Sequence, residues 1–480
     1  MEITLTQKIA QEGSLLLVLN SSVVSEHEIL KQIDVDGSIA RVIELQKFKA
    51  KMGEVLHINM HPKYENIWLV GARECNNFVK LGSNVARILL GREINLLSIY
   101  IQDEDNISSI LSGIYLRDYV YDVYKSESQK QHVLQIQSVH LISSKLSKDD
   151  IEKLHFEAET VKKTRSLINC PPCDLYPEVM ANYLVEWLQP LGVNVKILKG
   201  KDLEGMGMLL GVAKASTREA HVVVMEWSGS GEEDTVAFVG KGVTYDSGGL
   251  SIKPSNYMES MKSDMSGSAI VGAVLANAAR NKINKRVIGI VGLVENMISG
   301  NALRPDDVLK SLAGITVEVN NTDAEGRLVL GDILEYVQTN YSPSVVIDLA
   351  TLTGAIVVAL GHVYSGLFSN DDELANSLIS VGNEQNEEFW RMPLHKAFDD
   401  ALESKIADII NCAPGSVGAG SSTAAMFLKR FIKPEVKWAH LDIAGVSFLH
   451  GENFASTVGA TGFGVRTLNA WLEQYSKPKA

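Results

Sequence analysis

Short apolar runs and helical periodicities alternate along the chain, and they fall into two blocks. Up to about residue 150, SLLLVLN, NIWLVGA, INLLSIYIQ and HVLQIQSVHLI read as strands. Between them, SSILSGIYLRDYVYDVYK and the stretch around FVKLGSNVARILLG read as helices. The polar stretch SSKLSKDDIEK, 143–153, reads as a linker into a charged helix, IEKLHFEAETVKKTRSLIN. A second block starts near residue 165. There HVVVMEW and TVAFVGKGV are expected to be strands joined by SGSGEED as a hairpin or tight loop. SAIVGAVLANAARN follows as a helix, then KRVIGIVGLVEN and ITVEVNN as strands. RLVLGDILEYVQTN is a helix with apolar residues at 328, 329, 333, 334 and 337, and SVVIDLATL is a buried strand. Strands that are nearly all apolar, alternating with helices, imply a sheet covered on both faces. The expected fold is therefore α/β in two domains. Residues 1–150 form a smaller N-terminal α/β domain, and residues 151–480 a larger C-terminal one with a mostly parallel central sheet under helices on both faces. There is no internal repeat.

Composition narrows the function. A chain of 480 residues exceeds one core, and its 45% hydrophobic and 21% charged content is that of a globular protein. With 58 acidic against 45 basic residues the formal charge is -13, which argues against nucleic acid or an anionic membrane as the main partner. MEITLTQKIAQEGSLLLVLN has no basic segment leading into an apolar one, so no secretory signal is expected. The run SVVIDLATLTGAIVVALG is broken by Asp348, Thr351, Thr353 and Gly354 and suits a buried strand better than a membrane span. Four cysteines are too few for a disulfide scaffold, and a cytoplasmic location is expected. Cys170-Pro171-Pro172-Cys173 has redox spacing, but it follows a helix and no second CxxC completes a zinc site. It reads as a turn with two unpaired thiols.

Several catalytic signatures fail. His27-Glu28 would begin HExxH, but its fifth position is Lys31. Gly240-Lys241-Gly242 lacks the Ser/Thr and the glycine spacing of a phosphate loop, and there is no GxSxG. What stands out is a set of carboxylates and lysines in the second block. VGKGVTYDSGGLSIKPS carries Lys241, Asp246 and Lys253, MKSDMSGSA carries Asp264, and NTDAEGRL carries Asp323, Glu325 and Arg327. Read singly, Asp264 is a helix cap, Asp246 an Asx-turn residue, and Asp323 and Glu325 are loop charges with Arg327 pairing to one of them. Read together they differ. In an extended segment Asp323 and Glu325 point to the same side, and acids so crowded repel unless protons or metal ions neutralise them. Oxygen donors without His or Cys suit Mg²⁺ or Mn²⁺, and Zn²⁺ also accepts carboxylates.

These segments resemble the leucyl (cytosol) aminopeptidases, exopeptidases with two metal ions. NTDAEGRL, from Asn321 to Leu328, is that family's signature octapeptide. With it come VGKGVTYDSGGLSIKPS, MKSDMSG, ENMISGNALRPDDVL, DLATLTGA, WAHLDIAG and GATGFGVR in the family's order, over roughly residues 160 to 475. The resemblance implies that residues 151–480 are the catalytic domain, with residues 1–150 structural or oligomer-forming. It implies Asp246 and Glu325 shared by two metals, Asp323 with a backbone carbonyl at the more labile site, and Lys241 with Asp264 at the tighter one. The ions would be Mn²⁺ or Zn²⁺, with Mg²⁺ admitted at the labile site. Lys253 would stay charged and polarise the scissile carbonyl. Arg327 would hold a bicarbonate ion that takes a proton from the bridging water. Met261, Thr351, Leu352 and Gly354 match positions that line the pocket for the first side chain, with an apolar, Leu-like preference. The partners so implied are peptides with a free N-terminus and further copies in a homohexamer, a dimer of trimers. One departure is visible: the family's N-x-P-P-N reads Asn169-Cys170-Pro171-Pro172-Cys173.

Three other functions compete. Some members of the family also bind DNA as architectural factors, against which the net charge speaks. A catalytically inert scaffold of the same fold conflicts with the intact set of acids and lysines. A dinuclear phosphatase would be expected to use His ligands, and none of the 11 histidines falls among the candidate acids and lysines.

Overall fold

The chain divides inside a helix, not in the polar stretch before it. A computed structural model describes residues 2–21, 23–59, 61–130, 133–229 and 234–477. Residues 2–159 and 452–457 form one compact unit, and 160–451 with 458–477 the other. The polar stretch 143–153 owes its composition to a capping box. Ser147 Oγ accepts from the Asp150 N–H, and Asp150 Oδ2 accepts from the Ser147 N–H at 2.9 Å, at the start of the helix Lys148–Asn169.

The first unit holds six strands: β1 (Glu2–Thr6), β2 (Ser14–Leu19), β3 (Val55–Ile58), β4 (Asn66–Gly71), β5 (Glu93–Ile101) and β6 (Gln135–Ile142). Their order is β1-β6-β5-β2-β4-β3, parallel except for β3 against β4. Leu16 and Val18 of β2 pack into one apolar cluster, and Leu15, Leu17 and Leu19 into another. Both faces are therefore covered, which is why SLLLVL carries no polar alternation after Ser14.

The second unit continues with β7 (Asn194–Lys199), β8 (His221–Trp227), β9 (Val236–Asp246), β10 (Val287–Asn296), β11 (Val308–Lys310) and β12 (Thr316–Glu318). Then come β13 (Val345–Ala350), β14 (Ser365–Ser369), β15 (Phe389–Arg391), β16 (Ile409–Ile410) and β17 (Lys437–Asp442). Eight of them form the order β15-β14-β17-β13-β9-β10-β8-β7. The central four, β17-β13-β9-β10, run parallel. Glycines mark where helices press on both faces. A Cβ at Gly289 would meet Leu275 and Val271 of the helix Ser266–Arg280, and one at Gly292 would meet Val329 of the helix Glu325–Tyr341. The two-domain α/β fold and the covered, mostly parallel sheet agree with the sequence reading.

Two local expectations change. β8 and β9 are not a hairpin: β10 lies between them, antiparallel to β8 and parallel to β9. Part of SGSGEED, residues 230–233, lies outside the described residues. ITVEV does not join the large sheet either. Its Thr316–Glu318 is β12, between β11 and β16 in a separate three-stranded sheet. No helix among the described residues is long and apolar enough to cross a membrane.

Within the sheet, Asp348 of β13 accepts from Trp438 Nε1 at 2.7 Å and meets His440 Nδ1 at 2.5 Å, both on β17. Burial lowers the imidazole's pKa, but the Asp348 carboxyl beside it outweighs burial and holds it above its ordinary value of 6.5. This pair adds stability in full below that ordinary value and loses it as pH rises through the raised folded value. His440→Gln should therefore lower Tm most below about pH 6, with the deficit shrinking at higher pH. A deficit independent of pH in thermal melts would mean that the imidazole is neutral throughout.

Candidate active site

All four central parallel strands deliver groups to one place at their C-terminal ends, where open α/β sheets bind ligands. Asp246 ends β9, Asn296 ends β10, Asp442 ends β17, and Thr351 follows β13 directly. Lys241 lies inside β9 and faces the helix Glu325–Tyr341. A Cβ at Gly326 would sit 2.5 Å from its Cε. The glycine of NTDAEGRL is therefore the space through which this lysine reaches the acids.

Two clusters of charge meet there. Lys241 Nζ contacts Asp264 Oδ1 and Glu325 Oε1, each at 2.7 Å, and donates to the Thr351 carbonyl at 3.0 Å. Lys253 Nζ pairs with Asp246 Oδ2 at 2.8 Å and Asp323 Oδ1 at 2.5 Å. One oxygen from each of Asp246, Asp323 and Glu325 lies within 4.8 Å of the others. Lys241, Asp246, Asp264 and Glu325 are all buried, while Lys253 and Asp323 are half-buried.

The loops are built around these groups. Asp246 Oδ1 accepts from the Gly248 N–H and from Asn296 Nδ2, both at 2.8 Å, so it makes an Asx turn and belongs to the cluster as well. Gly248 has φ +86°, and a Cβ there would meet Asp323 Oδ1 at 2.9 Å. Asp264 does not cap the following helix. It sits in the 3-10 turn Met261–Met265 and accepts from Thr351 Oγ1 at 2.7 Å, and the helix has Met265 as its N-cap without a side-chain bond. Asp323 and Glu325 converge for a different reason from the one expected. Asp323 is in a turn and Glu325 is the first residue of its helix, so no extended segment aligns them.

Arg327 pairs with neither acid among the described residues. Its Nη1 donates to the Asn411 carbonyl at 2.8 Å, and its Nε is buried without a hydrogen-bond partner. Of the expected pocket residues, Thr351 bonds into the charge cluster and Leu352 packs on the core. Met261 opens the turn that carries Asp264, and Gly354 is exposed with open space over its Cα. The Cys170-Pro-Pro-Cys173 segment follows the helix Lys148–Asn169, and both thiols are free.

Electrostatics set the charge states. Burial and the Glu325 carboxylate push Asp246 up to about 6. Burial raises Asp264 well above the usual carboxylate range, and raises Asp323. Burial would raise Glu325 too, but Lys241 and Lys253 outweigh it and hold this acid low. Burial opposes the charge on both lysines, yet the acids around them keep both pKa values above the ordinary one. Four carboxyls thus share two ammonium groups. Asp264 Oδ2 and Glu325 Oε2 are buried without hydrogen-bond partners. Acceptor oxygens that no donor satisfies, in a group with more carboxyls than cationic groups and no His or Cys, fit hard divalent cations.

Sequence reasoning missed three residues here. Asn296 ties Asp246 to the Thr322 carbonyl at 3.0 Å. Asn411 holds the turn before Glu325 through the Asn320 and Asn321 N–H groups and the Asn321 carbonyl. Asp442 accepts from Leu352 and Thr353. Asn296 and Asp442 were findable, because they lie inside the quoted ENMISGNALRPDDVL and WAHLDIAG, whereas Asn411 stands in no quoted segment.

Known proteins share this arrangement of segments. The family profile described as cytosol aminopeptidase family, catalytic domain, matches residues 162–469, and that of the N-terminal domain matches residues 16–128. A probable cytosol aminopeptidase of Wolbachia pipientis wMel is 42% identical over 450 residues, 91% of this chain and 89% of the relative. Among solved structures, the bottromycin maturation enzyme BotP in complex with Mn is 30% identical with a TM-score of 0.85, covering 98% of this chain and 100% of that one. The cytosol aminopeptidase from Coxiella burnetii is 26% identical with a TM-score of 0.86, covering 99% of each chain. Both profiles, the near full-length relative and the solved structures agree: the chain belongs to the cytosol aminopeptidase family.

Proposed function

We propose that this peptidase removes an apolar, Leu-like N-terminal residue from peptides at the cluster of Lys241, Asp246, Asp264, Asp323 and Glu325. The observation that carries the reading is the pair of unsatisfied buried oxygens, on Asp264 and Glu325, in a site with more carboxyls than cationic groups. Asp246 and Glu325 would be shared by two divalent ions, Asp323 with a backbone carbonyl would hold the more labile ion, and Lys241 with Asp264 the tighter one. Such ions, when bound, supply Lewis acidity and bring a water's pKa towards about 7. Mn²⁺ or Zn²⁺ fits both positions, with Mg²⁺ admitted at the labile one.

The chain's own groups then divide the work. Lys241 would serve as a ligand only as the neutral amine, so its Nζ would have to be without its proton in the ion-loaded site. Lys253 is half-buried, keeps its proton and directs an N–H at the scissile carbonyl, where negative charge develops. Arg327 offers its unpartnered Nε as the seat of a bicarbonate ion, a proton acceptor. Met261, Thr351, Leu352 and Gly354 line the pocket for the first side chain. The protein would act in the cytoplasm as a homohexamer, a dimer of trimers, with residues 1–150 contributing to assembly.

Recognition of a free α-amine separates this reading from that of a general peptidase. Leucyl-p-nitroanilide should be cleaved, and its N-acetyl derivative should be cleaved at least about 10³-fold more slowly, since the blocked amine is a lost polar contact at a buried site. Equal rates for the two would rule out an exopeptidase.

A further inference from the structure

Asp442 is a fully buried carboxyl that the proposed chemistry does not use. It ends β17 in register with Ala350, the last residue of β13. Just beyond that pair, β13 becomes the loop carrying Thr351 to Gly354. Asp442 Oδ1 accepts from the Leu352 N–H at 3.1 Å and the Ala444 N–H at 3.3 Å. Its Oδ2 accepts from the Thr353 hydroxyl at 2.7 Å. Thr353 Oγ1 in turn accepts from the Ile356 N–H at 3.2 Å and caps the helix Gly354–Leu360. One side chain therefore fixes consecutive residues of this loop and the helix start that follows.

The same loop reaches the charge cluster from its other side. The Thr351 carbonyl accepts from Lys241 Nζ at 3.0 Å, and Thr351 Oγ1 donates to Asp264 Oδ1 at 2.7 Å. We infer that Asp442 is a positioning residue: by holding Leu352 and Thr353, it sets Thr351 where it orients Lys241 and Asp264. It touches neither of those two groups itself, so its effect passes through the loop. A carboxyl suits the task because it receives three donors on two oxygens in a place closed to water. This inference rests on the reading of Lys241 and Asp264 as the tighter cation site.

The test is Mn²⁺ titration of cation-free protein by calorimetry, with folding checked by circular dichroism. Asp442→Ala should weaken Mn²⁺ binding at the tighter site about 10- to 100-fold, the range for groups that orient metal ligands. Asp442→Asn keeps an acceptor for Leu352 and can donate to the Thr353 hydroxyl, so it should bind within about threefold of wild type. Thr353→Val removes the hydroxyl's bond to Asp442 together with its cap on the Ile356 N–H but leaves the Leu352 and Ala444 bonds, so it should weaken binding by a smaller factor, and it decides the matter if Asp442→Ala does not fold. Wild-type affinity in a folded Asp442→Ala, or in Thr353→Val, would overturn the inference, as would an Asn variant as weak as the Ala variant. Failure of the wild-type protein to bind Mn²⁺ would instead remove the reading of the site beneath it.

Discussion

Glu325→Ala should strip the protein of divalent metal and lower peptidase turnover by at least about 10³-fold, more than the 10- to 100-fold typical of groups that only orient ligands. Glu325 is buried at the first turn of its helix and faces both ends of the cluster. Its carboxylate pushes Asp246, Asp264 and Asp323 up and helps hold both lysines charged. One oxygen pairs with Lys241 and the other has no hydrogen-bond partner. Removing it leaves two ammonium groups facing three acids and deletes the acid assigned to both ions. Elemental analysis and leucyl-amide hydrolysis on the same sample check this. Full activity with two ions retained would refute the assignment.

Lys253→Ala should behave differently, lowering kcat about 10²- to 10³-fold, as loss of an oxyanion donor does, while metal content persists. The two lysines occupy distinct settings. Lys241 is locked in a strand between Asp264, Glu325 and a main-chain carbonyl, and its side chain is 3% exposed. Lys253 comes from the glycine-rich loop, is 14% exposed and pairs with Asp246 and Asp323. A group at the edge of the cluster can turn from acids to substrate once cations neutralise those acids, and one locked in the strand cannot. Loss of metal in Lys253→Ala, with kcat per bound metal unchanged, would mean that the roles of the lysines are exchanged.

What the sequence revealed of the fold follows from how local each determinant is. The apolar strands and the helix from Glu325 announce themselves through burial on both faces and through period. Strand partners do not. β8 and β9 are neighbours in the chain, yet the strand between them, β10, begins some 40 residues beyond β9's end and is placed by its helix crossover. The polar stretch before Lys148 looked like a linker because a capping box uses linker residues. In the site, crowded acids were visible as crowded acids, but their convergence comes from a turn and a helix start instead of an extended segment. Asn411 stood in no quoted segment, and Asp442, though inside WAHLDIAG, showed no role, because the partners of both lie about 90 residues away and are set by sheet register and loop packing.

The most direct test of the central claim is a metal titration run on a single sample. Protein dialysed against a chelator should hydrolyse no leucyl-p-nitroanilide. Added Mn²⁺ should restore activity, with binding saturating at two ions per chain by calorimetry. Undiminished hydrolysis by the metal-stripped protein would contradict the account.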